Sequence, residues 1–281
     1  MGIFSRTFSH INSGTSTRNY YSSMNQALLK LNEEYTMLHY PYYVNADDSF
    51  INAQANLTDY CMSLLPPVKS KTLLEVGCGN GVQAIYIHEK FAPGHIEAID
   101  LNDSNIEIAR NEVEKKGIKG VVFNVDDAHD LSTVKSNSVD FVINIESAFH
   151  YPDKSAFFRQ IHRVLKPGGS FLIADILTKG SKKNPLKNHW KRKMSYHHWP
   201  ISSYKTELPQ ADFHIESISD ITPRVIRSFS GYRRWLREMK KKHFVEDLIL
   251  KLYFTIHVSI IIYMLRTRHH YCVFVGTKPA P

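Results

Sequence analysis

The sequence predicts an α/β fold: a doubly wound, mostly parallel sheet with a helical cap. Two observations carry this reading. From residue 71 onward, short apolar runs alternate with amphipathic segments, the pattern of repeated strand–helix units. The first apolar run, LLEVGCGNG at 73–81, ends in a turn with glycine at 77, 79 and 81, and a further apolar stretch follows it. Such a strand–turn–helix lets a nucleotide-like ligand lie against the backbone.

The elements can be justified in order. Residues 1–60 are rich in Ser, Asn and Tyr and read as a helical, aromatic lid, with a helix near 22–34 and Tyr20, Tyr21, Tyr40 and Tyr43 available to close over a ligand. A helix over 51–65 is ended by Pro66-Pro67. Residues 61–281 form the main domain. Its strands are expected at 72–77, 95–101, 120–125, 139–146 and 169–176. One intervening helix runs from about Ser104 to 116 and stops at Gly117. Another carries Phe157, Phe158, Ile161, Val164 and Leu165 on one side and stops before Pro167. Cap insertions are expected at about 178–212 and 223–265, the second helical. HIESISDI at 214–221 and HYCVFVGT at 270–277 read as the last strands.

LILKLYFTIHVSIIIYML at 248–265 is long enough for a membrane span, but Lys251 and His257 interrupt it. A span would also separate the strand at 270–277 from its sheet partners. A buried or substrate-facing cap helix is expected instead.

Composition narrows the class. The chain has 281 residues, 43% hydrophobic and 12% aromatic, which suits a globular protein. Cys61, Cys78 and Cys272 show no paired spacing, so a reduced, cytoplasmic chain without a disulfide framework or metal site is expected. The N-terminus lacks the apolar core of a cleavable signal, and Arg6 stands where a myristoylation motif wants Ser or Thr. The net charge of +8 is concentrated in 179–193 and 233–242. Such runs are either solvated helix faces or attract anionic surfaces, so contact with a membrane surface stays open. Nucleic acid is not the expected partner.

The glycine turn is not a dinucleotide fingerprint, because Val82 occupies the third glycine position, and no Gly-Lys-Ser/Thr of a phosphate loop follows. What stands there is Glu75-x-Gly77-x-Gly79-x-Gly81. An acidic residue before the loop suits a ligand with an amino group. Asp100 ends the second apolar run, where a carboxylate can accept two ribose hydroxyls. Asp126, Asp127 and Ala128 end the third, and Asn144 and Glu146 the fourth. Gly79 and Gly81 could equally be tight-turn glycines, and Asn144 could equally satisfy buried backbone.

EVGCGNG at 75–81, AIDLN at 98–102, NVDDA at 124–128, FVINIES at 141–147 and VLKPGGSFLIADI at 164–176 occur in that order. This set resembles the class I S-adenosylmethionine-dependent methyltransferases over roughly residues 70–280. The resemblance implies a Rossmann-like sheet of seven strands with the last antiparallel, and S-adenosylmethionine as cofactor. It implies cofactor contacts from Glu75, Gly77, Gly79, Gly81, Asp100, Leu101, Asp126 or Asp127, Ala128 and Asn144. The N-terminal stretch FSRTFSHINSGTSTRNYY at 4–21 resembles the start of mycobacterial phthiotriolone dimycocerosate methyltransferases. The segment NIESAFHYPD at 144–153 is similar to that of small-molecule methyltransferases acting on sterols, tocopherols, sugars and polyketides. In several of these a Glu and then a His precede the proline, the positions of Glu146 and His150.

The expected reaction is methyl transfer to a small lipophilic acceptor at a hydroxyl, with His150 as general base. Asp175 is expected to orient His150 or to meet substrate. Two alternatives stand beside this: an RNA or protein methyltransferase using the basic segments, and a cofactor-binding partner subunit without catalysis.

Overall fold

The computed structural model describes residues 17–45, 47–180, 196–238 and 244–280. The expectations for residues 1–16, for the basic run 182–193 and for Lys240, Lys241 and Lys242 lie outside the described residues.

The chain begins with two helices, α1 (Thr17–Asn32) and α2 (Phe50–Ser63). The core then alternates: β1 (Thr72–Val76), α3 (Val82–Phe91), β2 (His95–Asp100), α4 (Asp103–Lys116), β3 (Val121–Val125) and β4 (Val139–Ile145). After a short turn of 3-10 helix at Ala148–His150 come α5 (Lys154–Val164), β5 (Leu165–Thr178), α6 (Ile201–Gln210), β6 (His214–Asp220), α7 (Thr222–Glu238), α8 (Phe244–Thr267) and β7 (His269–Thr277). The strand order is β3-β2-β1-β4-β5-β7-β6. β1 to β5 pair in parallel, and β7 runs antiparallel between β5 and β6. This is the expected doubly wound, seven-stranded sheet, with its strand order reversing at β1/β4.

Side-chain alternation along the strands divides the core into two layers. Leu172, Ala174 and Ile176 of β5 and Tyr271, Val273 and Val275 of β7 face the layer that holds α1, α2, α3, α4, α7 and α8. Phe171, Ile173 and Leu177 of β5 and Cys272 and Phe274 of β7 face α5 and α6. Helix ends follow local chemistry. The Asn102 side chain accepts from the Ser104 amide at the start of α4, Gly117 ends it at φ 64°, and the Asp153 carboxylate accepts from the Ala156 amide at the start of α5.

Three local expectations change. Helix α4 starts at Asp103, one residue before the expected Ser104, with Asn102 as its cap. β5 begins at Leu165, directly after α5: Leu165 pairs with Val139, then the register shifts before Ser170 pairs with Phe141. In the segment expected as a cap insertion at 178–212, α6 packs Tyr204 and Leu208 into the layer behind the sheet. Among the described residues no helix is long and apolar enough to cross a membrane. α8 instead lays Phe254, Val258, Ile262 and Leu265 into the first layer.

Candidate functional site

The carboxyl ends of β1, β2, β3 and β4 converge where the strand order reverses. The β1 turn is held by main-chain bonds: the Gly77 and Cys78 amides donate to the Ile99 carbonyl at 2.8 and 2.9 Å. Gly77, Gly79 and Gly81 all have positive φ, at 76°, 55° and 79°. A Cβ on Gly77 would come within 1.9 Å of Ser147 Oγ, and one on Gly81 within 2.5 Å of Ala109 Cβ, so these two glycines admit packing partners. A Cβ on Gly79 would meet only Leu38 of the lid, at 3.0 Å. Gly79 is therefore the glycine of the turn that faces the space under the lid. Cys78 is buried, and burial pushes its thiol well up, so it is not a nucleophile.

Four carboxyl groups ring this turn. Glu75 is buried, and its Oε2 meets no hydrogen-bonding partner among the described residues. Loss of solvent, with repulsion from Asp100 added, pushes Glu75 up to about 8. An oxygen so placed suits a donor brought by a ligand, and an ammonium best of all. Asp100 accepts from the Gly79 amide at 2.9 Å and the Asn102 amide at 2.8 Å, one on each oxygen, which aims the carboxylate along the turn. Burial raises the Asp100 carboxyl, against the lowering effect of these amides. Leu101, next to it, is 65% exposed, an apolar surface that a flat aromatic group could cover.

Asp126 and Asp127 differ in kind. Asp126 is buried and accepts from the Asp127 amide, Ser132 Oγ, the Thr133 amide and Thr133 Oγ1, so both its oxygens are used to close its own loop. Those bonds hold it below the usual carboxylate range, although desolvation acts against them. Asp127 is half-exposed and accepts from His129 on Oδ1 alone. Ala128 is buried beside it. Asn144 is fully buried: it donates to the Val76 carbonyl at 2.8 Å and to Tyr151 Oη at 3.0 Å, and accepts from the Ala148 amide at 3.2 Å. Its bonds tie the end of β1 to the turn after β4.

Beyond β4 the N-terminal segment meets the site. Glu146 has φ 52°, an uncommon left-handed conformation for a residue with a side chain. Its Oε1 accepts from the Tyr40 amide at 2.8 Å, and the Tyr271 hydroxyl lies beside it. Desolvation, helped by the Asp175 charge, pushes Glu146 up to about 8. His150 Nε2 lies 2.9 Å from Tyr21 Oη, and its ring packs against Tyr21, Phe149 and Tyr196. Tyr20, Tyr196, Tyr232 and Tyr253 complete an aromatic cluster from α1, α7, α8 and the segment before α6. Burial raises these phenols, Tyr196 to about 12. Tyr20, Tyr21, Tyr40, Glu146, His150 and Tyr196 each keep part of their surface accessible although protein closes round them. They gather in one aromatic cluster beyond β4.

Asp175 does not belong to this cluster, contrary to the expectation that it orients His150. By strand alternation it points to the other face of the sheet, where it is fully buried. Its Oδ2 accepts from Tyr204 Oη at 2.6 Å and lies 3.8 Å from Lys154 Nζ. Lys154, also fully buried, donates to the Ala148 and His197 carbonyls. Burial lowers this ammonium and Asp175 opposes the shift. The group braces the turn carrying His150 from behind. Sequence reasoning missed Lys154, whose place in the FFRQI helix gives no signal of burial.

Helix α1 joins the two halves of the site. Asn25 donates to Asn105 at 2.8 Å and accepts from Asn80 of the glycine turn at 2.8 Å, while Tyr21, one turn earlier, holds His150. Asn80 also donates to the Thr36 carbonyl at 2.8 Å.

Comparison with known proteins gives a consistent result. A family model described as a methyltransferase domain matches residues 67–241. A fatty-acid O-methyltransferase of Mycolicibacterium smegmatis is 40% identical over 108 residues, 38% of each chain. The erythromycin 3''-O-methyltransferase of Saccharopolyspora erythraea is 29% identical over 188 residues, 63% of this chain and 60% of that one. The chain thus spans 38% and 60% of the lengths of these two relatives. Among solved structures, geranyl diphosphate C-methyltransferase of Streptomyces coelicolor A3(2), in complex with Mg2+, geranyl diphosphate and S-adenosyl-L-homocysteine, matches with a TM-score of 0.70. That match covers 93% of this chain and 96% of that one at 15% identity, a likeness of fold.

Proposed function

The chain belongs to the methyltransferase-domain family of class I, S-adenosylmethionine-dependent proteins, and on that premise we propose that it methylates a small lipophilic molecule at a hydroxyl group. The observation that carries the proposal is the aromatic cluster beyond β4, with His150 and Glu146 among its rings. A largely aromatic surface with two polar groups suits a lipid-like acceptor and disfavours water. The O-methyltransferase relatives support the same acceptor class.

The residues of the glycine turn fit the cofactor. S-adenosylmethionine, when bound, supplies an electrophilic methyl group on a sulfonium. Glu75 would hold the amino group, Asp100 the ribose hydroxyls, Leu101 and Ala128 the adenine faces, and Asp127 the adenine amino group. Gly77, Gly79 and Gly81 keep the turn flat enough for the ligand to lie on it. In this reading Asp126 and Asn144 shape the loops rather than touch the ligand, since their hydrogen bonds are spent on the protein. The aromatic faces of Tyr21 and Tyr40 tolerate a neighbouring cation.

The acceptor's proton leaves through Tyr21 and His150. Tyr21 gives its hydroxyl proton to His150 Nε2, 2.9 Å away, and takes the acceptor's proton in turn. Tyr21 therefore stays neutral at the end of the step, and imidazolium carries the charge. Glu146, held protonated at neutral pH by its surroundings, is a positioning residue that anchors the Tyr40 amide and so the lid. Residues 17–45 act as that lid over the methyltransferase domain. The test is incubation of labelled cofactor with a lipid extract and mass spectrometry of the products. Label in a lipid hydroxyl supports the reading; label confined to RNA or protein, or none in any fraction, overturns it.

A further inference from the structure

Helix α8 is apolar on two opposite sides. Phe254, Val258, Ile262 and Leu265 are buried against the first core layer. On the reverse side Leu248, Leu252, Ile256, Ile260 and Tyr263 follow one another at four- and three-residue steps, and each is between 50 and 59% exposed. They form a continuous stripe about 22 Å long at 1.5 Å per residue. A helix that is apolar all round is normally covered all round. Here one side is bare, and the helix does not qualify as a membrane span.

The charge around the stripe indicates what covers it. Residues 222–268 hold eleven Lys and Arg against three Asp and Glu, a surplus of eight that equals the net charge of the entire chain. The rest of the sequence carries no net charge, its own basic run at 179–193 being offset by acidic residues elsewhere. Two of these cations border the stripe. The Arg233 guanidinium of α7 donates to Ser259 Oγ at 3.3 Å, and Ser259 lies beside Ile256, Ile260 and Tyr263 on the helix surface. Arg266 is exposed one turn beyond Ile262 on the same edge as Ser259. Exposed aliphatic side chains ending in a tyrosine and edged by arginine match the headgroup–acyl boundary of an anionic bilayer. A second copy of this chain would instead bring its own surplus of like charge to the contact, which opposes pairing through this face.

We infer that α8 docks the protein on an anionic membrane surface, with Leu248, Leu252, Ile256, Ile260 and Tyr263 entering the interface and Arg233 and Arg266 meeting lipid headgroups. The inference stands apart from the proposed methyl transfer, because adsorption requires no turnover. It places the aromatic cluster close to the lipid: Tyr253, between the two faces of α8, lies with Tyr20 and Tyr196.

The experiment is co-sedimentation of the full chain with vesicles of phosphatidylcholine alone and with about a third phosphatidylserine. Wild-type protein should bind the anionic vesicles, more weakly at high salt. Leu252→Glu with Ile256→Glu should lower the partition coefficient at least about tenfold, and Arg233→Glu with Arg266→Glu by a similar factor. All four positions are exposed, and unchanged circular dichroism and S-adenosylmethionine affinity check that the variants fold. Binding that survives the Leu252/Ile256 change in a folded variant overturns the inference. So does a wild-type chain that ignores both vesicle types, or a wild-type dimer in sedimentation equilibrium that the same change converts to a monomer.

Discussion

Binding of S-adenosylmethionine should expel a proton, and Glu75 should be its source. The Glu75 carboxyl is pushed up to about 8 by burial and by Asp100. At pH 7 roughly nine in ten copies of the free protein therefore carry a proton there. An ammonium group against Oε2 reverses the balance, because opposite charge and a charge-assisted hydrogen bond both favour the carboxylate. The proton is held by the free form and lost by the bound form. Affinity must then rise with pH until the free-state value is passed, by about tenfold, or 1.4 kcal/mol, per unit below it. Between pH 6 and 7.5 the gain should be about twenty-five-fold, because the slope flattens as the free-state value is approached. Titration calorimetry in buffers of different ionisation enthalpy reads the release directly, and about 0.9 proton per ligand is expected at pH 7. Glu75→Gln keeps the size of the side chain, so the fold should hold, but both the release and the pH slope should vanish. Wild-type binding without proton release, or an unchanged slope in the Gln variant, would refute the assignment of Glu75 to the amino group.

Three further outcomes test other parts of the site. His150→Ala should lower the single-turnover methyl-transfer rate by about 10²–10⁴-fold with cofactor affinity intact, and Tyr21→Phe should lower it by about tenfold; equal rates for the variants and wild type across pH 5–9 would remove both residues from the proton path. Lys154→Met should cost about 3–5 kcal/mol in urea unfolding, because it strands the buried Asp175 carboxylate, and a loss under 1 kcal/mol would show that the pair is dispensable. Gly77→Ala should destabilise by about 2–4 kcal/mol through contact with Ser147, whereas Gly79→Ala should cost only about 1 kcal/mol of backbone strain, and thermal melts showing the reverse order would contradict the geometry of the turn.

The strands were legible because short apolar runs separated by helical patterns admit few alternatives, and all seven appear within a few residues of expectation. The start of β5 was hidden because Leu165 continues the four-residue spacing of Phe157 and Ile161 while already pairing with Val139. Asp175 illustrates a misjudgement that alternation could have prevented: it shares the parity of Phe171, Ile173 and Leu177, which point behind the sheet. Other features leave no local trace. Tyr21 and His150 are 129 residues apart, and nothing near either one announces the other. The division of labour between Asp126 and Asp127 depends on Ser132 and Thr133 folding back, which the NVDDA motif does not encode.

The double attachment of α1 ties together two parts of the fold that lie far apart in sequence. One short helix grips the glycine turn through Asn25 and Asn80, and His150 through Tyr21. A displacement of that helix large enough to open the glycine turn would therefore also draw Tyr21 away from His150. Under the proposed methyl transfer, release of spent cofactor past α1 would break both contacts together, and the rate of that unlatching would then cap turnover whatever the speed of the chemistry.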